Sequence, residues 1–294
     1  MKEKAYSIFV LFLLVVLCAR FTNAQCFLKS STSYNADNKI TAQITNTYVG
    51  KFNLKERQQN GGGLYQSNAF LEYDAQNKLV STAYKNGDKT IKTANAQANK
   101  EEKTNQIGQK SVDEFSQNGN STVKTSKDAQ GNINRVESNI FEGGKLVSSE
   151  TQNAQNQIVS RETFTYNAEN NILKSTVFDA ILDQTKNINN VYNSDNKLTK
   201  SEILINNIRQ STSFFSYTKD KLTRKETQDA SGQIAYYQIF EYSKNSSIES
   251  NFYRGVLHSK IITTFDNKNN PVEIEVFNEK QKLTQKTINT YICK

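Results

Sequence analysis

The stretch Val191–Thr199 reads VYNSDNKLT, and near-copies of it recur along most of the chain. In each copy an aromatic residue precedes a short turn rich in Asn, Asp and Gln, and a Lys-Leu or similar pair follows. Other clear copies are SYNADNKIT from Ser33, LEYDAQNKLV from Leu71, TYNAENNIL from Thr165 and SYTKDKLT from Ser216. A pattern that returns at a regular interval is the signature of a repeat architecture.

The spacing of the turn signals predicts an all-β fold. Turns recur at intervals of about 11 to 14 residues, which is the cadence of strand, turn and strand. Between turns the side chains alternate: Val272, Ile274 and Val276 share one parity, whereas Glu273 and Glu275 share the other. Such alternation is typical of a strand with one buried and one wet face. We therefore predict a long antiparallel hairpin meander of about 20 short strands in a single repeat domain, residues 25–294.

Residues 89–109 are the weakest part of this repeat domain. The segment has no aromatic residue and many Ala, Asn and Lys residues, so a helix or a loop is an alternative to strands. Because the turn spacing persists through Gly108, we interpret it as degraded repeat units.

A flat sheet of the predicted size would be unusual. About 20 strands at about 4.8 Å each would extend roughly 100 Å, and strands twist relative to their neighbours. We therefore expect the sheet to curl, spiral or close on itself.

Residues 1–24 are predicted to be a signal peptide. Lys2 and Lys4 precede an apolar run over residues 8–19, and Thr22-Asn23-Ala24 supplies small residues before a cleavage site after Ala24. The run has about a dozen residues against about 20 for a membrane-spanning helix, which leaves a retained anchor as the lesser alternative. The mature protein is expected to be secreted, periplasmic or on the cell surface, without integral membrane insertion.

The cysteines of the mature chain lie at its two ends. Removal of the leader leaves Cys26 and Cys293. Because oxidising compartments preserve disulfides, an even pair in an exported chain predicts a bond between them. Two unrelated terminal thiols are the alternative.

Motifs for catalysis, cofactors and metals are not recognised in the sequence. His258 is the single histidine, and no nucleophile or ligand set is signalled beside it. The Asn- and Asp-rich turn at 266–270 lacks the EF-hand spacing for calcium. The formal charge of +8 is spread along the chain, which argues against nucleic acid as a partner. We predict no catalytic residue, no cofactor and no metal.

Aromatic residues are the best candidates for a binding site. They cluster on neighbouring predicted strands and supply rings to both faces, so one face is expected to form a core of cross-strand pairs and the other a ligand platform. The candidate platform residues are Phe214, Phe215, Tyr217, Tyr236, Tyr237, Phe240 and Tyr242.

The repeated phrases resemble the YD-repeat (RHS-like) family of exported bacterial proteins, whose pattern is Tyr-Asp, two variable residues and Gly-Arg-Leu before a strand. Tyr73 and Asp74 match the opening pair, and Leu79 or Leu198 matches the Leu. Asn replaces Gly at Asn77 and Asn196, Lys replaces Arg at Lys78 and Lys197, and Asn replaces Asp at Asn35, Asn167 and Asn193. The resemblance implies successive hairpins in a sheet that wraps around, forming a scaffold with a binding surface for carbohydrate or for cell-surface contact.

Together these observations predict a secreted, non-enzymatic β-repeat protein that acts at the cell exterior as a binding or structural module. Its expected partners are carbohydrate or a cell-surface protein, and exposed edge strands offer a route to self-association. A carbohydrate-active enzyme is one alternative, which would need an acidic cleft. An outer-membrane β-barrel is another, although strands such as 148–162 are too polar to face lipid.

Overall fold

The computed structural model describes residues 26–49, 53–61, 65–73, 79–86, 89–97, 100–104 and 110–293. All of its regular structure is β: the described residues form 22 strands and no helix. The all-β, antiparallel fold predicted from the turn spacing is therefore confirmed. The predicted signal peptide and the turn at 74–78 lie outside the described residues.

The strands follow one another along the chain with short connections. They are β1 (Cys26–Asn35), β2 (Ile40–Val49), β3 (Asn53–Gly61), β4 (Tyr65–Tyr73), β5 (Leu79–Asn86), β6 (Lys89–Gln97), β7 (Lys100–Thr104), β8 (Lys110–Asn118), β9 (Ser121–Lys127), β10 (Ile133–Glu142), β11 (Lys145–Asn153), β12 (Ile158–Tyr166), β13 (Ile172–Asp179), β14 (Gln184–Tyr192), β15 (Leu198–Ile205), β16 (Ile208–Thr218), β17 (Lys221–Asp229), β18 (Ile234–Tyr242), β19 (Ser246–Tyr253), β20 (Val256–Phe265), β21 (Pro271–Asn278) and β22 (Leu283–Cys293). Two of them, β6 and β7, fall within the weak segment 89–109.

The sheet closes on itself. Each strand pairs antiparallel with the strand before it and the strand after it in the chain. The first strand, β1, pairs with β2 on one side and with the last strand, β22, on the other. Pairing thus passes through all 22 described strands and returns to its start, with a perimeter of about 105 Å at about 4.8 Å per strand.

The seam between β1 and β22 joins the two ends of the described chain. Its register runs from Cys26 opposite Cys293 to Asn35 opposite Gln285. The predicted disulfide is present at one end of this seam, where the two cysteine α-carbons lie 4.0 Å apart. Along the seam the Ser33 hydroxyl lies 2.9 Å from that of Thr287.

The repeated phrase forms a turn stabilised by its own Asn. The side-chain oxygen of Asn193 accepts hydrogen bonds from the N–H groups of Asp195 and Lys197, at 3.1 and 2.9 Å. Asn196, the fourth residue of the turn, has a φ of 58°, a left-handed conformation that Asn tolerates better than most residues. The same five-residue backbone turn recurs at residues 35–39, 128–132, 153–157, 167–171, 229–233, 266–270 and 278–282.

The Lys-Leu-Thr that follows the turn forms a bulge. Val191 pairs with Lys200 and Tyr192 with Leu198, so Thr199 is the extra residue in its strand. Its hydroxyl donates to the Val191 carbonyl oxygen at 3.2 Å. Thr41, Thr223 and Thr284 make the same bond in their own copies. The final Thr of the phrase thus has a structural role.

The Tyr of the phrase links one hairpin to the next. The Tyr217 hydroxyl donates to the carbonyl oxygen of Leu198, the Leu of the preceding copy, at 3.0 Å. Tyr192 does the same to Ile172, and Asn190 donates to that carbonyl as well. Equivalent bonds connect Tyr48 to Leu28, Tyr73 to Leu54, Tyr166 to Leu146 and Tyr291 to Pro271. All these tyrosines lie near the ends of even-numbered strands, so we name this edge of the ring the tyrosine rim and the other the far rim.

The expectation that one face forms an aromatic core is wrong. Among the described residues no hydrophobic side chain is buried, and the buried side chains are all polar: Asn46, Asp113, Thr151, Ser175, Asn187, Thr212 and Asn251. Described strands also approach within 8 Å, between α-carbons, only their own neighbours. The described sheet is therefore a single layer, and no second sheet covers either face to create an apolar interior.

We predict that the left-handed turn position of Asn196 contributes measurably to stability. Asn196→Ala should lower the free energy of unfolding by about 1 kcal/mol, because a β-carbon disfavours positive φ. Asn196→Gly, which removes that restriction, should be close to neutral. Urea titration of the two variants checks this, and equal losses for Ala and Gly would contradict it.

We also predict that the seam disulfide stabilises the closed ring. Its cysteines are 267 residues apart, for which the chain-entropy model gives a contribution of about 5 kcal/mol. The variant Cys26→Ser/Cys293→Ser should therefore melt about 10–20 °C lower than the oxidised protein, at 2–4 °C per kcal/mol. Thermal unfolding followed by circular dichroism measures the shift, and the reduced native protein is the matched control. An unchanged midpoint would mean that strand pairing alone holds the seam.

Candidate functional site

The two faces of the sheet differ in exposure. On β12, Ser160, Glu162, Phe164 and Tyr166 are half-buried, whereas Arg161, Thr163 and Thr165, which point the other way, are exposed. Cross-strand pairing carries this alternation around the ring, since paired residues share a face. We name the two sides the shielded face and the open face after these strand-β12 residues. Five of the seven buried residues lie on the shielded face: Asn46, Asp113, Thr151, Ser175 and Asn251.

The candidate platform residues are divided between the two faces. Register places five of them on the shielded face, namely Phe215, Tyr217, Tyr236, Phe240 and Tyr242. Phe214 and Tyr237 lie on the open face, in register with Glu226 between them. Residue types in the sequence did not show which of these rings share a surface.

The open face carries an aligned row across four strands. Phe214 pairs with Glu226, Glu226 with Tyr237, and Tyr237 with Phe252. We name these four residues the open-face row. The rings of Tyr237 and Phe252 are stacked, with centroids 4.5 Å apart and an interplanar angle of 9°.

A charged pair is built onto this row. The Arg224 guanidinium carbon lies 4.5 Å from the centroid of the Tyr237 ring. The same guanidinium bonds the Glu226 carboxylate at 2.8 Å. Arg224, Tyr237 and Phe252 thus form a stack of planar groups beside a carboxylate, which offers both an apolar surface and hydrogen-bonding groups. Sequence reasoning missed Arg224, Glu226 and Phe252, because only the strand register brings them to the row.

The shielded face of the same strands holds a polar network. Asn251, one of the buried residues, accepts a short hydrogen bond from the Tyr236 hydroxyl and another from the Gln238 amide at 2.8 Å. Gln238 also donates to Glu249 at 2.7 Å. Burial, with an addition from the negative charge of Glu249, raises the pKa of Tyr236 to about 12. Tyr236 is therefore a neutral hydrogen-bond donor at physiological pH.

Asp113 is the one buried carboxylate among the described residues, and it is fully engaged. Its oxygens lie 2.5 Å from the Lys103 ammonium, 3.4 Å from that of Lys124 and 2.6 Å from the Ser126 hydroxyl. Burial alone would raise the pKa of Asp113, but these hydrogen bonds and lysine charges hold it below its ordinary value. An ionised, paired carboxylate of this kind is suited to holding strands together and poorly suited to proton transfer.

The histidine and the other carboxylates named from the sequence lie on β20, on β21 and in the turn between them. Lys286 bridges Glu273 and Glu275, at 2.8 and 3.7 Å. His258 is exposed on β20, and the Asp266 carboxylate accepts N–H bonds within its own turn. In the described part of the chain no three His, Cys, Asp or Glu side chains gather in a metal-binding group. The described residues also include no helix that could span a membrane.

We predict that Tyr236 makes the protein sensitive to alkali. Its pKa of about 12 lies above the value of 10.0 expected in the unfolded chain, so its contribution to stability is complete below pH 10 and declines as pH rises toward 12. Tyr236→Phe should lose the Asn251 bond, at about 1 kcal/mol near pH 7, and should show a shallower decline above pH 10. Urea midpoints from pH 7 to 11.5 measure both effects.

Tyr253→Phe is the matched control, because Tyr253 pairs directly with Tyr236 and is exposed. Identical pH curves for the native protein and the Tyr236→Phe variant would contradict the prediction.

Comparisons with known proteins place the chain in no family. No family model matches the sequence, and no curated protein matches it. Among solved structures it is similar to the complex TcdB2-TccC3-Cdc42, with 11% identity, a TM-score of 0.38, and coverage of 85% of this chain and 15% of that one. The chain thus spans about a seventh of the length of that structure.

Two porin-like proteins are similar over nearly their whole length. The one from Bacteroides uniformis is 9% identical with a TM-score of 0.33, over 90% of this chain and 96% of that one. The one from Bacteroides vulgatus is 10% identical with a TM-score of 0.26, over 91% and 99%. Similarities at these scores identify neither a family nor a function.

Proposed function

We propose that this protein is a non-enzymatic binding module of the cell exterior, and that its open-face row is the ligand surface. The observation that carries the proposal is the alignment of Phe214, Glu226, Tyr237 and Phe252 across four paired strands. Such a row presents rings and a carboxylate at fixed intervals. A site built on paired strands is held more firmly than one built on loops.

The ligand class that suits this row is carbohydrate. Phe214 offers a ring on which a sugar can stack, and the edge of the Arg224, Tyr237 and Phe252 stack extends this surface two strands farther, about 10 Å away. Between them Glu226 accepts hydrogen bonds and Arg224 donates them, as sugar hydroxyls require. Phe214 is 38% exposed, which leaves its ring accessible.

The salt bridges of the carboxylates favour binding over catalysis. A glycosidase needs one carboxylic acid that is free to give up a proton and a second carboxylate 5 to 10 Å away, roughly, for its partner role. Glu226 is held by Arg224, Asp113 by two lysines, and Glu273 by Lys286. At Asp113 these contacts hold the pKa of the carboxyl group below its ordinary value, which disfavours a role as proton donor.

The placement at the cell exterior rests on the predicted leader at 1–24 and on the pairing of the terminal cysteines. We further propose a distant relation to the YD-repeat proteins. The turn explains the substitutions that separate the two patterns, because Asn and Gly are both suited to the left-handed fourth position occupied by Asn196.

Glycan binding tests the proposed function. The mature protein is run in affinity electrophoresis through gels containing β-glucan, xylan, mannan or peptidoglycan fragments. At least one glycan should retard it, and Phe214→Ala should weaken that retardation about tenfold, the loss expected when one stacking ring is removed. Phe115→Ala is the matched control, since Phe115 is similarly exposed but lies on β8, away from the row.

Three outcomes would overturn the proposal. The native protein migrates freely in every gel, Phe214→Ala binds as the native protein does, or incubation with a glycan releases new reducing ends. The last outcome would favour a carbohydrate-active enzyme. Circular dichroism of each variant verifies that the sheet is retained.

A further inference from the structure

Exposed apolar residues lie at four successive turns of the far rim, and the open-face row does not use them. The turn between β13 and β14 exposes Ile181, at 84%, and Leu182, and the next turn along the rim exposes Ile208. The two turns after that expose Ile234 and Val256, the latter at 68%. We name these four successive turns the apolar crest; they span six strand intervals, or about 29 Å.

The crest has clear limits. On one side the turn between β11 and β12 consists of Asn153, Ala154, Gln155, Asn156 and Gln157, and it exposes no large apolar side chain. On the other side the turn at 278–282 is also polar. A band of large aliphatic side chains at the tips of turns is costly to leave in water, and such patches mark interaction surfaces.

Charged residues along the crest alternate in sign. In order around the rim, the four turns present Asp183, Arg209, Asp229 and Arg254. Asp179 adds a second carboxylate to the first turn, where it accepts N–H bonds from Ile181 and Leu182. The sequence of signs is therefore negative, positive, negative, positive.

This order is self-complementary under a two-fold rotation. If a second copy is turned over and its far rim is placed on the first, the order of its turns is reversed. Asp183 then faces Arg254 of the other copy, twice. The inner turns are held within each copy, since Arg209 donates to the Ala230 carbonyl oxygen at 2.8 Å and Asp229 accepts N–H bonds in its own turn. Isologous contacts of a two-fold dimer require this kind of self-complementary patch.

We propose that the apolar crest is a homodimer interface, in which two copies of the ring stack far rim to far rim around a two-fold axis between the β15–β16 and β17–β18 turns. The aliphatic side chains pack in the centre, and the two Asp183–Arg254 pairs set the register.

The exposed residues on the rest of the far rim are also compatible with this two-fold rotation. Outside the crest, two described far-rim turns are followed by an exposed Ile: the β1–β2 turn by Ile40 and the β9–β10 turn by Ile133. Each of these two turns is the fourth far-rim turn from the axis, one in each direction, so the rotation places them opposite each other. It also places the polar β11–β12 turn opposite the polar β21–β22 turn. Apolar turns thus meet apolar turns and polar turns meet polar turns.

An anionic lipid surface fits the crest less well than a second copy. Its four turns hold three carboxylates against two guanidinium groups, so they lack the basic excess that attracts anionic headgroups. Lys186 and His258 lie farther along the strands, each as the third residue of its strand, β14 and β20.

A charge exchange tests the register. Asp183 and Arg254 both have a φ of 47°, so each position accepts the other's side chain without a change of backbone conformation. Sedimentation velocity of the mature protein from 1 to 300 µM should show a reversible dimer. Asp183→Arg and Arg254→Asp, each alone, should raise the dissociation constant at least tenfold, because each brings like charges together. The double variant Asp183→Arg/Arg254→Asp should return it to within about threefold of the native value, since opposite charges again face each other.

Asp195→Lys is the control, because Asp195 is an exposed carboxylate on the tyrosine rim. It should leave the dissociation constant unchanged. The proposal is overturned if the native protein stays monomeric at 300 µM, or if the double variant dimerises as poorly as the single ones. Flotation of a monomer with phosphatidylglycerol vesicles would overturn it in favour of membrane contact. Glycan binding by Phe214 is read out separately, so failure of either proposal is distinguishable from failure of the other.

Discussion

Closure of the sheet between β1 and β22 is the constraint on which the rest of this structure depends. A single-layer sheet gains little from apolar burial, and no hydrophobic side chain among the described residues is buried. Its cohesion must therefore come from strand pairing, and an open sheet would leave two strands with unpaired N–H and C=O groups. Joining the first strand to the last satisfies both edges, and the Cys26–Cys293 bond covalently holds the seam. Self-association by edge pairing, which an open sheet would invite, has no unpaired strand to use in the described ring.

Local hydrogen bonds take over the task that a core performs in other β proteins. The tyrosine of each hairpin donates to the preceding hairpin at the tyrosine rim, as Tyr217 does to Leu198. Asn193 and its equivalents satisfy the N–H groups of their turns. Where a side chain is buried it is polar, and residues such as Asn46 and Asn251 are bonded across the strands. A chain rich in Asn, Thr, Ser and Tyr and poor in large aliphatic residues is what such a sheet requires, so its low mean hydropathy reflects the fold and not disorder.

The sequence predicted the local features of this fold and missed those that depend on register. Strands and turns follow from residue types at short spacing, as VYNSDNKLT illustrates, and the disulfide follows from the pair of cysteines left after the predicted leader. The open-face row does not, because the bulges that shift the pairing, such as the one at Thr223 between β16 and β17, decide which residue of one strand meets which of the next. Alternation could show that Phe214 and Phe215 point to opposite faces, but not that Phe214 shares its row with Phe252, 38 positions later. The expectation of an aromatic core was wrong for a related reason. Aromatic residues at alternate positions occur in strands of a single-layer sheet as well as in strands of two packed sheets, so the sequence pattern does not distinguish the two.

The structural unit is a hairpin of two strands, and this makes the two rims of the ring chemically different. Tyr166, Tyr192 and Tyr217 follow each other at intervals of about 25 residues, twice the spacing of single turns. All three lie at the tyrosine rim, where the hydroxyl of each donates a hydrogen bond to the previous hairpin. Far-rim turns lack this tyrosine bond and are linked by other contacts, such as those from the Thr185 N–H to Asn206 and from Arg209 to the Ala230 carbonyl oxygen. They also expose Ile181, Ile208 and Val256. In such a repeat the tyrosine-rim turns must keep the residues that link the hairpins. Residues at the far-rim turns and on the two faces of the sheet can vary more freely, so they can be selected for binding. The chain can thus carry a binding row and an association rim on one scaffold without either compromising the hydrogen bonds that keep the ring closed.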